Sequence, residues 1–278
     1  MKLSIITLTY NNLHYTKKYI ESLYKNTKDF ELILVDNGST DGTVDYIKSL
    51  PYNNIKLIIN EENLGYAKGN NQGIAVAEGE YIGFLNNDIL LPSNWFDEIE
   101  KVFIAEEKAG FVSPIELNPK IQNVNEHNYQ KYLRKFPKIY DYRKSYYGCI
   151  FSCVITKATI LNEIGNFDEN ITPAFFEDDD LMCRAIESGY DLYEADNCCY
   201  FHFGSITSSK HTEQRKKNEN YFYSKHRFGE YVKATYFEYD EIHQIRKSFL
   251  YNIYLVYRKI KRIIVKYIIK KLKYKKGA

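Results

Sequence analysis

Four consecutive acids, Glu177-Asp178-Asp179-Asp180, form the densest cluster of chemistry-bearing side chains in the sequence. Adjacent carboxylates repel one another, so a purely structural account of all four is strained. Part of the cluster does have one. Acids in a first helical turn interact favourably with the helix dipole. Asp180 and Arg184 lie four residues apart on one helix face and can pair. That leaves Glu177, Asp178 or Asp179 for chemistry. The neighbouring Phe175 and Phe176 can desolvate a carboxylate and raise its pKa, as a general base working near neutral pH requires.

Three further clusters are candidates. Asn86-Asn87-Asp88 follows the apolar run Tyr81 to Leu85. An Asp at the carboxyl end of a strand can hold Mg²⁺ or Mn²⁺ against diphosphate oxygens, and such sites need only one or two protein carboxylates. The alternative is a plain polar turn. His202 follows an apolar strand and precedes Phe203-Gly204-Ser205. It can be a metal ligand, a phosphate donor or a structural histidine. Asp36-Asn37-Gly38-Ser39 ends another apolar run. Asp36 there can accept hydrogen bonds from a base or ribose, or close an Asx turn that caps the next helix.

Something must position these groups. Leu3 to Leu8, Phe30 to Val35, Ile55 to Ile59 and Tyr81 to Leu85 are short, β-branched, non-alternating runs, the pattern of parallel strands covered on both faces. Helical stretches separate them at Tyr15 to Tyr24, Thr43 to Leu50 and Tyr66 to Ala77. The alternation predicts an α/β fold with a doubly wound, mostly parallel sheet, whose ligands bind beyond the carboxyl ends of the strands. The polar clusters fall at those ends. Further on, the pattern predicts a helix over Trp95 to Glu107 and strands over Gly110 to Ser113 and Tyr147 to Ile155. A short helix over Lys157 to Ile164, a helix over Asp178 to Ser188, and one or two strands in Leu192 to Phe203 follow. Residues 116 to 147 read as an insertion on the acceptor side, and the chain after Lys210 as helical.

The 278 residues suit one α/β domain with an appendage, and the 44% apolar fraction supports a sizeable core. From residue 245 onward lie twelve of the 38 Lys and Arg and none of the 36 Asp and Glu. A mildly acidic body thus carries a basic tail, and an anionic partner is expected for it. Ile253, Val256, Tyr257, Ile260, Ile264 and Ile268 recur there at helical spacing. This fits a helix packed on the body or one lying on an anionic membrane surface. No base-reading motif accompanies the tail, so no nucleic-acid partner is expected. Its longest uncharged stretch, Ser248 to Tyr257, is far short of the ~20 residues of a membrane span. The first strand begins at once after Lys2, so no leader is expected. The five cysteines are odd in number and without CxxC spacing, so they read as small buried hydrophobes of a reducing compartment rather than disulfides or a zinc site.

The order and spacing of seven segments resemble the family 2 glycosyltransferases of the GT-A fold, most closely their rhamnosyltransferase-like members. The segments are Ile5 to Asn11 (IITLTYN), Val35 to Gly42 (VDNGSTDG), Asn63 to Asn71 (NLGYAKGNN), Phe84 to Asp88 (FLNND), Gly165 to Glu169 (GNFDE), Phe176 to Leu181 (FEDDDL) with Arg184, and His202. The resemblance covers roughly residues 2 to 205. It implies a catalytic domain over 1–210, with a nucleotide-binding half to about 90 and an acceptor half after it, then a helical extension over 211–278 with the basic tail. It implies that Thr9, Asp36, Asn63, Gly65, Lys68, Asn86 and Asn87 bind a UDP, dTDP or GDP sugar, and that Asp88 and His202 hold Mn²⁺ or Mg²⁺. Asp178 is then the base, and a hexosyl or deoxyhexosyl group passes with inversion to a hydroxyl of a glycan or a lipid- or protein-linked saccharide. Asn86 stands where the family has the first Asp of its DxD motif, which removes one negative charge from the site. The implied location is cytoplasmic, either free or peripheral on the inner face of the cell membrane. Rival readings are a GT-A-fold saccharide-binding protein without catalysis and a nucleotide-sugar pyrophosphorylase. The acid cluster speaks against the first. The lack of a glycine-rich, Lys/Arg-bearing loop after strand one speaks against the second.

Overall fold

The computed structural model describes residues 2–117, 125, 127–129, 141–145, 148–204 and 212–226. The expected strand–helix alternation is present: β1 (Leu3–Thr9), α1 (Leu13–Asn26), β2 (Phe30–Asp36), α2 (Thr43–Lys48), β3 (Ile55–Ile59), α3 (Tyr66–Val76) and β4 (Tyr81–Leu85). Then come β5 (Ile89–Leu90), α4 (Trp95–Ala105), β6 (Ala109–Leu117), β7 (Arg143–Ser145), β8 (Cys153–Lys157), α5 (Ala158–Ile164), α6 (Glu177–Glu187), β9 (Asp191–His202) and α7 (Thr212–Lys225). The basic tail lies outside the described residues, as does most of the 116–147 segment.

One sheet has the order β3-β2-β1-β4-β8-β6-β9-β5, with β7 also paired to β9. β1 to β4 run parallel to one another, and β6 runs parallel to β9. β8 lies antiparallel between β4 and β6. Both faces are covered, which is why the strands read as continuous apolar runs. Successive residues point to opposite faces. Leu3 and Ile5 pack with Tyr19, Ile20, Leu23 and Trp95 under α1 and α4, whereas Ile6 packs with Ala67, Phe84 and Leu181 under α3 and α6. Gly73 and Gly69 let α3 lie against β1: an added Cβ would come within 2.5 Å of Ile6 and 2.9 Å of Leu8.

Two strands differ from the expected bounds. β6 runs past Pro114 to Leu117, because the pairing slips there: Pro114 faces Ala195, but the next residue, Ile115, faces Cys199. A proline has no N–H for the ladder, and the irregularity accommodates it. β8 starts at Cys153 rather than near 147, after a turn closed by Cys153 N donating to Ile150 O. All five cysteines are buried and unbridged, as expected of small hydrophobes.

Candidate active site

The loops at the carboxyl ends of β1 and β2 are laced together. Asp36 is fully buried and accepts from Thr9 Oγ1 (2.7 Å), Gly38 N (3.1 Å), Ser39 N (2.8 Å) and Ser39 Oγ (2.5 Å). Thr9 is equally buried. Both therefore lie inside the fold, Asp36 holding the Gly38-Ser39 turn and Thr9 holding Asp36. Asn11 N donates to Ser39 Oγ, and Thr40 N to Asn11 Oδ1, closing the same seam.

The segment leading into α3 is docked on the opposite loop. Gly65 has φ +85°, and a Cβ there would lie 2.8 Å from the Pro173 carbonyl oxygen. That oxygen accepts from Tyr66 N at 2.8 Å. Asn63 Oδ1 accepts from Gly65 N, and both Asn63 and Lys68 are exposed. Asn71 exchanges hydrogen bonds with the backbone of Phe167, so the Asn63 to Asn71 and Gly165 to Glu169 segments form one unit.

Asn86, Asn87 and Asp88 lie half-buried between β4 and β5. Asn86 N donates to Ser152 O, and Asn87 Nδ2 to Thr16 Oγ1. β5 then pairs antiparallel with β9, setting Ile89 opposite His202. Through that pairing His202 Nε2 lies 3.2 Å from Asp88 Oδ1, so the two metal-binding candidates meet. Sequence reading missed a third member. Glu116, on β6, sits on the other side of the ring, with Oε1 3.3 Å from Nδ1. Its Oε2 accepts from Ser152 Oγ and Tyr200 Oη. A carboxylate between Ile115 and Leu117 was the available signal. Burial works against a charged His202, but Asp88 and Glu116 overcome it and push its pKa up to about 10. Burial likewise opposes ionisation of Glu116, yet His202, Ser152 and Tyr200 hold its pKa below the usual value.

The acid cluster opens α6, after Phe175 and Phe176, which both have φ near +75°. Asp180 is the structural member, as expected. It accepts from Arg184 Nε (2.9 Å), and also pairs with His226 Nε2 and Lys225 Nζ (both 2.7 Å). Arg184 further donates to the carbonyls of Ile164, Gly165 and Asn166, fixing α6 to the end of α5. Glu177 and Asp179 are buried; Asp178 alone of the four is half-buried. Its Oδ1 accepts from Asp179 N at 2.9 Å. Burial raises the Asp178 pKa, and burial beside Asp178 raises that of Glu177 further. A half-exposed carboxylate held above the ordinary range can take a proton from a bound hydroxyl.

A divalent cation is implied for such a site, and the residues fit one. The buried ring nitrogens of His202 lie within ion-pair distance of carboxylates, yet neither makes an aligned hydrogen bond. Nε2 faces an Asp oxygen, a donor pair suited to a hard or borderline divalent ion that keeps its other positions for phosphate oxygens and water. Among the described residues no group of three His, Cys, Asp or Glu is arranged around one ion.

Residues 4–165 match the family described as Glycosyl transferase family 2, more than half of the chain. An uncharacterized glycosyltransferase of Rickettsia bellii is 29% identical over 183 residues, which are 62% of this chain and 24% of the relative. The chain thus spans about a quarter of that relative's length. Among solved structures, GalNAc-T7 with UDP, GalNAc and Mn²⁺ superposes with a TM-score of 0.63 at 16% identity, over 78% of this chain and 46% of the other. The mannosyltransferase PcManGT from Pyrobaculum calidifontis, in complex with GDP-Man and Mn²⁺, gives 0.57 at 18% identity, over 74% and 58%. These likenesses establish the GT-A fold.

Proposed function

The chain belongs to glycosyl transferase family 2, and on that premise we propose that it moves a sugar from a nucleoside-diphosphate donor to a hydroxyl acceptor, with inversion and with a divalent cation. The observation that carries this reading is the meeting of Asp88 and His202 at the strand ends, together with a half-buried Asp178 whose pKa burial raises. Asp88 and His202 would hold Mn²⁺ or Mg²⁺. Such an ion, when bound, neutralises charge on the diphosphate leaving group. Asn63, Lys68, Asn86 and Asn87 offer polar groups to the donor. Gly65 keeps the loop of Asn63, and the start of α3 that carries Lys68, against Pro173, and Thr9 and Asp36 act through the Gly38-Ser39 turn. Asp178 takes the acceptor hydroxyl proton as that oxygen bonds to the anomeric carbon. The bond to the diphosphate breaks on the opposite face, through a transition state with oxocarbenium character. The neighbours' ligands, UDP with GalNAc and GDP-Man, support a nucleotide-sugar donor without selecting the base.

The test is turnover of UDP-, GDP- and dTDP-sugars with and without Mn²⁺. Cation-dependent release of nucleoside diphosphate supports the proposal. Donor binding without turnover, with or without acceptors, would make the protein a binder. Formation of nucleotide sugar from a nucleoside triphosphate and a sugar phosphate would make it a pyrophosphorylase.

The domain limits, 1–210 and 211–278, and the role of the basic tail belong to the same proposal. With twelve Lys and Arg and no acids after residue 245, the tail favours an anionic lipid surface, by about 1 kcal/mol per basic residue near it. Among the described residues no helix is long and apolar enough to cross a membrane. Salt-sensitive binding of the full chain to phosphatidylserine vesicles, lost on truncation near Glu241, is expected; indifference to such vesicles at low salt refutes it.

A further inference from the structure

A histidine that ligates a metal must be neutral, with one nitrogen's lone pair on the ion and the other nitrogen carrying the proton. Which nitrogen does which is set by the partner of the second. In this chain Nε2 faces Asp88 and Nδ1 faces Glu116. Glu116 is itself immobilised. Its second oxygen accepts from Ser152 Oγ at 3.1 Å and from the fully buried Tyr200 hydroxyl at 3.2 Å. Ser152 also receives Asn86 N through its carbonyl, at 3.0 Å. One anchored carboxylate therefore sits behind the ring, tied through a single serine to the turn that presents Asp88. With only 13% of its side chain exposed, Glu116 is costly to keep as a carboxylate unless its charge is partnered.

From this the geometry points to Glu116 as a positioning residue: it stands 3.3 Å from Nδ1 of His202, accepts the Nδ1 proton when a cation takes the Nε2 lone pair, and so sets the ring beside Asp88 and the affinity of the site for a divalent cation. The inference rests on the reading of Asp88 and His202 as cation ligands. Glu116 does not touch donor or acceptor; it acts through the imidazole.

The experiment measures Mn²⁺ binding to the full chain without donor, by electron paramagnetic resonance of free and bound ion. Electron spin-echo modulation then detects the imidazole ¹⁴N on bound Mn²⁺. Glu116→Ala is expected to weaken binding about 10- to 100-fold, the usual scale for the partner of a ligating histidine, and to diminish the ¹⁴N signal. Glu116→Gln keeps the shape and the hydroxyl partners but offers Nδ1 a neutral oxygen. It gives a smaller loss in the same direction, and it decides the matter should the alanine variant not fold. Wild-type affinity and an intact ¹⁴N signal in folded Glu116 variants overturn the inference while leaving the cation site standing, provided His202→Asn weakens binding. If His202→Asn changes nothing and the wild type shows no ¹⁴N modulation, the cation site falls and this inference with it.

Discussion

The Asp180 carboxylate and the His226 imidazole meet at 2.7 Å, both buried, and their contact joins α7 to the first turn of α6. Lys225 and Arg184 complete the charge balance around the same carboxylate. Asn218 adds hydrogen bonds to the carbonyls of Thr172, Ala174 and Phe175, the strand of chain that leads into the acid cluster. The position of Asp178 therefore depends on a helix that follows every recognised motif.

Asp180→Asn should be among the most damaging single changes. It leaves Arg184, Lys225 and His226 facing a neutral group, and removal of one partner from a buried charge cluster costs about 3 kcal/mol or more. Those three groups, opposing burial, hold the Asp180 pKa below its usual value. Its contribution is therefore present above the unfolded carboxylate pKa of about 4 and is lost as pH falls through the lower folded value. Urea unfolding at pH 7 and at pH 3 measures both. A variant as stable as the parent at pH 7 would refute the assignment.

Asp178→Asn should bind donor normally and lose at least about 10²-fold in kcat, while Asp179→Asn loses much less. Because burial raises the Asp178 pKa, the acidic limb of kcat should lie above the ordinary carboxylate range, activity rising with pH as the base ionises. A steady-state pH profile of both variants and the parent decides this. A crippled Asp179→Asn beside an active Asp178→Asn would move the base by one residue.

Asp88→Ala should abolish Mn²⁺-dependent turnover, and His202→Ala should raise the Mn²⁺ concentration needed for half-maximal rate. The measurement is initial rate against metal concentration at saturating donor. Near-normal activity of Asp88→Ala would remove it from the site.

Gly65→Ala forces a side chain into a φ of +85° and against Pro173 O. A cost of about 1–3 kcal/mol is expected for such strain. It should appear both as a lower unfolding midpoint and as a higher donor KM, because the exposed Asn63 lies in that loop and the exposed Lys68 in the first turn of α3 that follows it. An unchanged donor KM would separate the loop from donor binding.

Asp196 offers a stability test away from the site. Burial pushes its pKa up to about 6, with Arg143, 3.3 Å away, opposing. The native state then holds a proton that the unfolded chain has released between about pH 4 and 6. Stability therefore falls as pH rises through that window and stays lowered above it. Asp196→Asn should remove the loss and stabilise the protein at pH 7 by about 1 kcal/mol, discounted for partial solvent exposure. Arg143 keeps Glu194 at 2.7 Å, so the change strands no cation. Thermal unfolding at pH 5 and 7.5 should show the variant's advantage only at the higher pH.

The sequence alone determined the alternation of β1 to β4 with α1 to α3, because apolar runs and helical periods are local patterns. It also placed the polar clusters at strand ends, and singled out Asp180 and Arg184 as a pair through their spacing on one helix. Only the tertiary structure decided what each polar group faces. Asp36 and Thr9 lie in adjoining strands and satisfy one another inside the fold, so both are buried. β8 enters antiparallel between β4 and β6, which no run of residues announces. Glu116, Asp88 and His202 meet because β5 and β6 both pair with β9, in a register that slips after Pro114. The reason is the two-residue period of a strand. A shift of one residue sends every side chain to the other face, so the partners of a buried acid follow from register and strand order rather than from the residues beside it.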